Sequence, residues 1–212
     1  MTTLSIQDGD HQYGYRTIFR GVELKLTSGD VFAITGANGS GKSTLLKILA
    51  GVLQPSNGKV ELTISKKTIH QDQHPLHVGL VAPYVNLYQD LTLTENLEFL
   101  AKARSTKIDY KRIQSIASNM GLESAMDAFV RTYSTGMLQR ARLVTAMYHN
   151  PEIILMDEPT LGLDREGCDV VKGIIDHMQK AGHLTVIASN LQDDIELARQ
   201  SLCIEDFGPD SG

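Results

Sequence analysis

The chain has 212 residues, a net charge of −5 at pH 7 and two cysteines, Cys168 and Cys203. That length sets one compact domain with room for an inserted subdomain, and the acidic balance without a lysine- or arginine-rich block argues against nucleic acid as the main ligand. Two cysteines make no disulfide framework and fit a reducing compartment, and no segment reaches the ~20 apolar residues of a membrane span.

The start, Met1-Thr2-Thr3-Leu4-Ser5, lacks the charged region and apolar stretch of a leader, so a soluble, cytoplasmic chain is expected. The first elements read as strands, with Val22, Leu24 and Leu26 alternating with polar residues. Thr27-Ser28-Gly29-Asp30 predicts a turn, and Val31-Phe32-Ala33-Ile34 a buried strand. A glycine-rich loop follows, then a helical stripe of Leu45, Leu46, Ile48, Leu49 and Val52 that ends near Gly51. Gln54 to Gly58 turns the chain into a strand marked by Val60, Leu62 and Ile64.

From 84 to 148 the pattern is mostly helical. Thr92-Leu93-Thr94-Glu95 is a capping box ahead of Leu97, Leu100 and Ala101. Ile113, Ile116, Ala117 and Met120 mark a second helix stopped by Gly121, and Leu138, Ala141, Val144 and Tyr148 a third. Strand–helix alternation then returns with Ile153–Met156, the stripe Val170, Val171, Ile174, Ile175 and Met178, and the strand Leu184–Ala188. This order predicts a single α/β domain over 1–212. Its core is a mixed sheet with antiparallel N-terminal strands, and a helical subdomain is inserted at 84–148. Gly208 to Gly212 reads as a frayed tail.

The loop Gly36-Ala37-Asn38-Gly39-Ser40-Gly41-Lys42-Ser43-Thr44 is a phosphate-binding P-loop in the strand–loop–helix context that the motif requires. Its glycines let backbone N–H groups turn toward phosphate oxygens, and the helix opening at Ser43 aims its positive end at the same anion. Lys42 would reach the β- and γ-phosphates, and Ser43 would give its hydroxyl oxygen to Mg²⁺. The apolar strand ending in Asp157-Glu158-Pro159-Thr160 puts acids where such sheets bind ligands. Asp157 is placed to hold Mg²⁺, and Glu158 to polarise the water that attacks the γ-phosphate.

Two further stretches resemble one family. Tyr133-Ser134-Thr135-Gly136-Met137-Leu138-Gln139-Arg140 resembles the signature motif of the ATP-binding cassette (ABC) ATPases, and Leu161-Gly162-Leu163-Asp164 resembles their D-loop. P-loop, signature, acidic strand and D-loop stand in the family's order across nearly the whole chain. The Ser-Thr-Gly-Met form resembles bacterial cassettes of drug, polysaccharide and haem exporters. The resemblance implies an ATPase that takes MgATP and pairs head to tail as a homodimer. Ser134, Thr135, Gly136 and Met137 of one copy would then cover the ATP in the other. It also implies a separate transmembrane permease subunit that holds the dimer at the inner face of the cell membrane. Tyr13 matches the aromatic that stacks on adenine, with Tyr15 as the competing candidate.

Two positions depart from the family pattern. The loop before the helical insertion usually carries a glutamine, and here its position holds Pro83, so Tyr84 or Asn86 could substitute only through a shifted backbone. The switch histidine is replaced by Asn190, which can donate a hydrogen bond but cannot take a proton as imidazole does. Hydrolysis is expected because Glu158 is present, though slow or dependent on a partner. His70, His74 and His77 tempt a metal reading. Pro75 interrupts any helix that would align them, and a solvated loop is expected. Two alternatives stand beside the transporter subunit: an ABC ATPase of a non-transport machine, and a slow ATP-binding switch.

Overall fold

A computed structural model describes residues 1–208; all but the first residue of the segment read as a frayed tail lies outside the described residues. The chain runs β1 (Thr2–Tyr13), β2 (Arg16–Thr27), β3 (Val31–Thr35), α1 (Lys42–Leu49), β4 (Asn57–Ile64), β5 (Lys67–Ile69) and β6 (Val78–Val81). It continues through α2 (Leu93–Ala103), α3 (Tyr110–Asn119), α4 (Thr135–Met147), β7 (Ile153–Asp157), α5 (Arg165–Lys180), β8 (Leu184–Ala188), α6 (Gln192–Ile195) and β9 (Gln200–Cys203).

The strands form two sheets. β2-β1-β4-β5 is antiparallel, and β6-β7-β8-β3-β9 is parallel throughout. The antiparallel sheet alternates buried and exposed side chains, as one covered face requires. β3 and β7 instead carry continuous apolar runs, and β8 is buried throughout with Thr185 among apolar residues, because both faces of the parallel sheet are covered. Successive residues split between the two sides. Ile154, Met156 and Ile187 join a core with Leu143, Val144, Val171 and Ile175 from α4 and α5. Ile153, Leu155, Leu184 and Val186 join the other, with Leu45, Leu46 and Ile48 of α1 and Leu4, Ile6 and Leu62 of the antiparallel sheet. Each such aliphatic side chain contributes about 1.5–3 kcal/mol on full burial.

Between β6 and β7 the regular elements are α2, α3 and α4 with short 3₁₀ turns. The capping box forms as expected: Thr92 Oγ1 accepts from the Glu95 amide, and the Glu95 carboxylate accepts from the Thr92 amide. Gly121 ends the α3 region at φ 63°, in the left-handed region that a helix stop uses.

The histidine segment departs from the expected solvated loop. Gln71–Leu76 is a 3₁₀ turn that accommodates Pro75, and His74 is buried with Nε2 3.1 Å from the Ile69 carbonyl. The turn packs against Gly51, where an added Cβ would lie 2.7 Å from that of His74. The backbone partner accounts for Nε2, while Nδ1 is buried without a hydrogen-bond partner.

Register fixes where the site falls. β7, β8 and β3 are adjacent and parallel, with Asp157 opposite Ala188 and Ala188 opposite Ile34. The segments that follow these residues therefore leave the same edge of the sheet.

Candidate nucleotide-binding site

The loop after β3 needs glycine at two positions. Gly36 sits at φ 135°, and a Cβ there would meet Ser40 Oγ at 2.8 Å. Gly41 sits at φ 115°, and a Cβ would meet Ile18 Cγ2 at 2.5 Å. Helix α1 opens at Lys42, one residue before the expected start, with Gly41 as its N-cap. Gly41 offers no side chain, so the first N–H groups of α1 have no side-chain cap. Ser40 Oγ is buried without a hydrogen-bond partner. A cradle of free donors at a helix N-terminus fits a phosphate group.

Lys42 is buried, and its Nζ donates to the carbonyls of Gly36 (2.7 Å) and Ala37 (3.0 Å). The loop thus folds around its own ammonium, which holds positive charge inside the cradle. Asp157, at the end of β7, is buried close by. Burial pushes its carboxyl up; a hydrogen bond from Ser43 and the charges of Lys42 and Lys47 pull it down, and burial wins. A serine hydroxyl bonded to a buried carboxylate is a pair of hard oxygen donors, so Ser43 and Asp157 fit Mg²⁺.

Glu158 takes φ 49°, a left-handed conformation that costs a non-glycine residue on the order of 1–3 kcal/mol. Its amide donates to the Ala188 carbonyl (2.8 Å), and its carbonyl accepts from the Leu161 amide (3.2 Å). The kink turns the acid out of the sheet into a cleft. That cleft is lined by Tyr13, Arg16, Ile18, Asn38, Gly39, Gly41, Lys42, Ser43, Thr44 and Glu158. Tyr13 therefore stands at the P-loop, whereas Tyr15 is fully exposed at the hairpin turn. The buried His11 ring and Tyr13 form an edge-to-face pair, with centroids 4.6 Å apart.

Asn190 lies at the same edge, its Nδ2 donating to Asn38 Oδ1 at 3.2 Å. Pro83 is exposed. Tyr84, beside it, turns toward α1, with Lys47 Nζ 4.2 Å from the ring centroid. Burial and the nearby Asp157 charge push the Tyr84 phenol well above its usual range, so it is a hydrogen-bond donor. Asn86 lines a separate groove with Tyr88 and Leu100.

The signature residues are placed elsewhere. Ser134 caps α4 by accepting from the Met137 amide at 3.2 Å, and Ser134 and Thr135 are exposed. Neither these nor Gly136 and Met137 line the cleft. Gly136 instead neighbours Leu163 of the D-loop stretch, whose Asp164 caps α5 by accepting from the Gly167 amide (2.9 Å). Sequence reasoning missed Asp194. It is fully buried, accepting from Thr160 Oγ1 (2.8 Å) and Ser189 Oγ (2.7 Å). It ties the turn after Glu158 to the residue before Asn190, and a lone acid in a four-residue helix gives no sequence signal of that.

Comparison with known proteins agrees with this architecture. The ABC transporter family model matches residues 19–161. The chain belongs to the ABC transporter family. It is 31% identical over 197 residues to the Bacillus subtilis uncharacterized ABC transporter ATP-binding protein YdbJ, covering 91% of this chain and 63% of that protein. It is 29% identical over 201 residues to the B. subtilis linearmycin resistance ATP-binding protein LnrL, covering 92% of this chain and 64% of LnrL. The chain thus spans less than two thirds of the length of both. Among solved structures, the fold matches the ATP-binding cassette MJ0796, described as a dimer in a post-hydrolysis state bound to ADP and Pi. That match has a TM-score of 0.81 and 22% identity, and covers 95% of each chain. Among the described residues no helix is long and apolar enough to cross a membrane.

Proposed function

We propose that this chain is the ATP-binding and ATP-hydrolysing subunit of an ABC transporter. Two copies close head to tail around two MgATP, and the closure drives a separate membrane subunit from the cytoplasmic face. The observation that carries this reading is the cleft uniting the P-loop, Tyr13 and Glu158.

In this reading Tyr13 stacks on adenine, and Gly36, Asn38, Gly39, Ser40, Gly41 and Thr44 form the phosphate cradle. Lys42 leaves the Gly36 and Ala37 carbonyls for the β- and γ-phosphates. Ser43 and Asp157 hold Mg²⁺, which neutralises charge on the phosphates when bound. Glu158 accepts a hydrogen bond from the attacking water. The water oxygen bonds to the γ-phosphorus as the bond to the β–γ bridging oxygen breaks, leaving ADP and phosphate. Ser134, Thr135, Gly136 and Met137 stand outside the cleft of their own chain, which suits a role on the nucleotide of a second copy. Asp164, beside them, would lie at that junction. ATP favours the closed dimer because only that state contacts it from both sides. The name of YdbJ, an ABC transporter ATP-binding protein, supports a transporter over a non-transport machine.

Phosphate release by the purified protein with Mg²⁺ and ATP tests the enzyme, and co-purification with a neighbouring polytopic gene product tests the partner. No release above that of a Lys42→Ala control would overturn the first. Recovery of the chain only in the soluble fraction when both are co-expressed would overturn the second.

A further inference from the structure

Arg142 lies on α4 three residues after Gln139, on the same side of the helix. Its guanidinium fork reaches three neutral oxygens. Nε donates to the Val85 carbonyl (3.0 Å), Nη2 to the Pro83 carbonyl (3.3 Å) and Nη1 to Gln139 Oε1 (3.1 Å). Gln139 is buried, and its Nε2 donates to the Pro159 carbonyl at 3.0 Å. One orientation of the Gln139 amide satisfies both neighbours: oxygen toward Arg142, nitrogen toward the carbonyl. Pro159 directly follows Glu158, whose own amide is held by the Ala188 carbonyl. The left-handed kink at Glu158 is thus held on one side by β8 and on the other by α4.

We propose that Arg142 is a positioning residue: through Gln139 it joins the 83–85 loop to the turn behind Glu158, so that movement of the loop is felt at the catalytic acid. Pro83 has neither a side-chain oxygen nor an N–H, so its carbonyl is the one hydrogen-bonding group that residue offers. A fork that binds two carbonyls and a glutamine at once sets the loop and the turn in one geometry, which a lysine point charge would not do. The kinetic part of this inference rests on the ATPase reading; the mechanical part does not.

The test compares the full chain with Arg142→Met, Gln139→Leu, the double variant and Arg142→Lys. Hydrogen–deuterium exchange reads the mechanical link. Arg142→Met should speed exchange in peptides covering 83–88 and also, at a distance, in those covering 157–163. Gln139→Leu should speed the second and leave the first protected. In turnover, each single variant should lower kcat about 10-fold, the scale of one hydrogen bond from a charged donor, with KM for ATP unchanged. The double variant should be no worse than the poorer single, because one relay is broken twice. Arg142→Lys should recover part of kcat, and it carries the test if Arg142→Met fails to fold. Wild-type exchange at 157–163 in Arg142→Met, or effects that multiply in the double variant, would overturn the relay. Wild-type protein that releases no phosphate would instead count against the ATPase reading, and the exchange arm would still decide the relay.

Discussion

Asn190 and Asn38 are 152 positions apart in the chain, yet the Asn190 amide donates to the Asn38 side-chain oxygen at 3.2 Å. The bond exists because β8 and β3 are neighbours in the parallel sheet and both segments leave from the same edge. It puts a donor with no titratable group beside the P-loop. In the proposed ATPase this amide would donate to the γ-phosphate, so Asn190→Ala should cut turnover by about 10- to 100-fold, the scale of a charge-assisted hydrogen bond of roughly 1.5–3 kcal/mol. Asn190→His should keep activity, since an imidazole N–H can donate in place of the amide. Unchanged turnover in Asn190→Ala, with the membrane partner present, would remove Asn190 from the site.

Lys42→Ala should abolish tight MgATP binding. The ammonium is held inside the loop, and without it the β- and γ-phosphates lose the charge that the loop itself directs at them. Titration with a fluorescent ATP analogue measures this, and wild-type affinity in the variant would contradict the P-loop assignment.

Asp157→Asn should separate stability from function. Burial holds the Asp157 carboxyl above its ordinary value, so the folded state takes up its proton more readily than the unfolded chain. Its contribution to stability therefore declines as pH rises through the carboxylate range. The amide variant should melt above wild type at about pH 7.5, and the gap should close near pH 3, where the wild-type acid is protonated. It should also gain less than wild type from added MgATP. A variant that melts below wild type at neutral pH would mean that Ser43, Lys42 and Lys47 outweigh burial.

His149 predicts the opposite slope in acid. Burial first, then the Arg104 charge, lowers the His149 imidazole to about 4. Its Nε2 accepts from Arg104 Nη1 at 2.9 Å. The unfolded chain binds the proton near 6.5, so stability is full above that value and drains away as pH falls toward about 4. His74, also lowered by burial, adds to the slope. His149→Gln keeps an acceptor for Arg104 and should lose less in Tm between about pH 7 and pH 4.5. An unchanged slope would show that other groups carry the acid sensitivity.

What could be read from the sequence was local. The P-loop, the Asp157-Glu158 pair and the capping box at Thr92 each lie within nine residues or fewer, so spacing alone declares them. β6 and β9 were not legible. Each is four residues long, one holding Gly79 and the other opening with Gln200-Ser201, so neither shows a clean apolar period. His74 looked solvated because its burial depends on contact with Gly51, 23 positions away. Asp194 and Arg142 act through partners up to 34 and 59 positions distant, and no periodicity encodes such pairs. The separation of the antiparallel and parallel strands into two sheets is likewise a matter of which strands pair, not of what each strand contains.

The proposed composite site needs two copies, because Ser134, Thr135, Gly136 and Met137 do not line the cleft with Glu158 in their own chain. Glu158→Gln retains the P-loop but cannot polarise water as a carboxylate does, so ATP should stay intact in the site. Light scattering over a range of concentrations, with Mg²⁺ and ATP, measures the result. A dimer with ATP that returns to monomer when ATP is removed is the outcome the composite site predicts; a variant that binds ATP tightly yet stays monomeric at every concentration would contradict it.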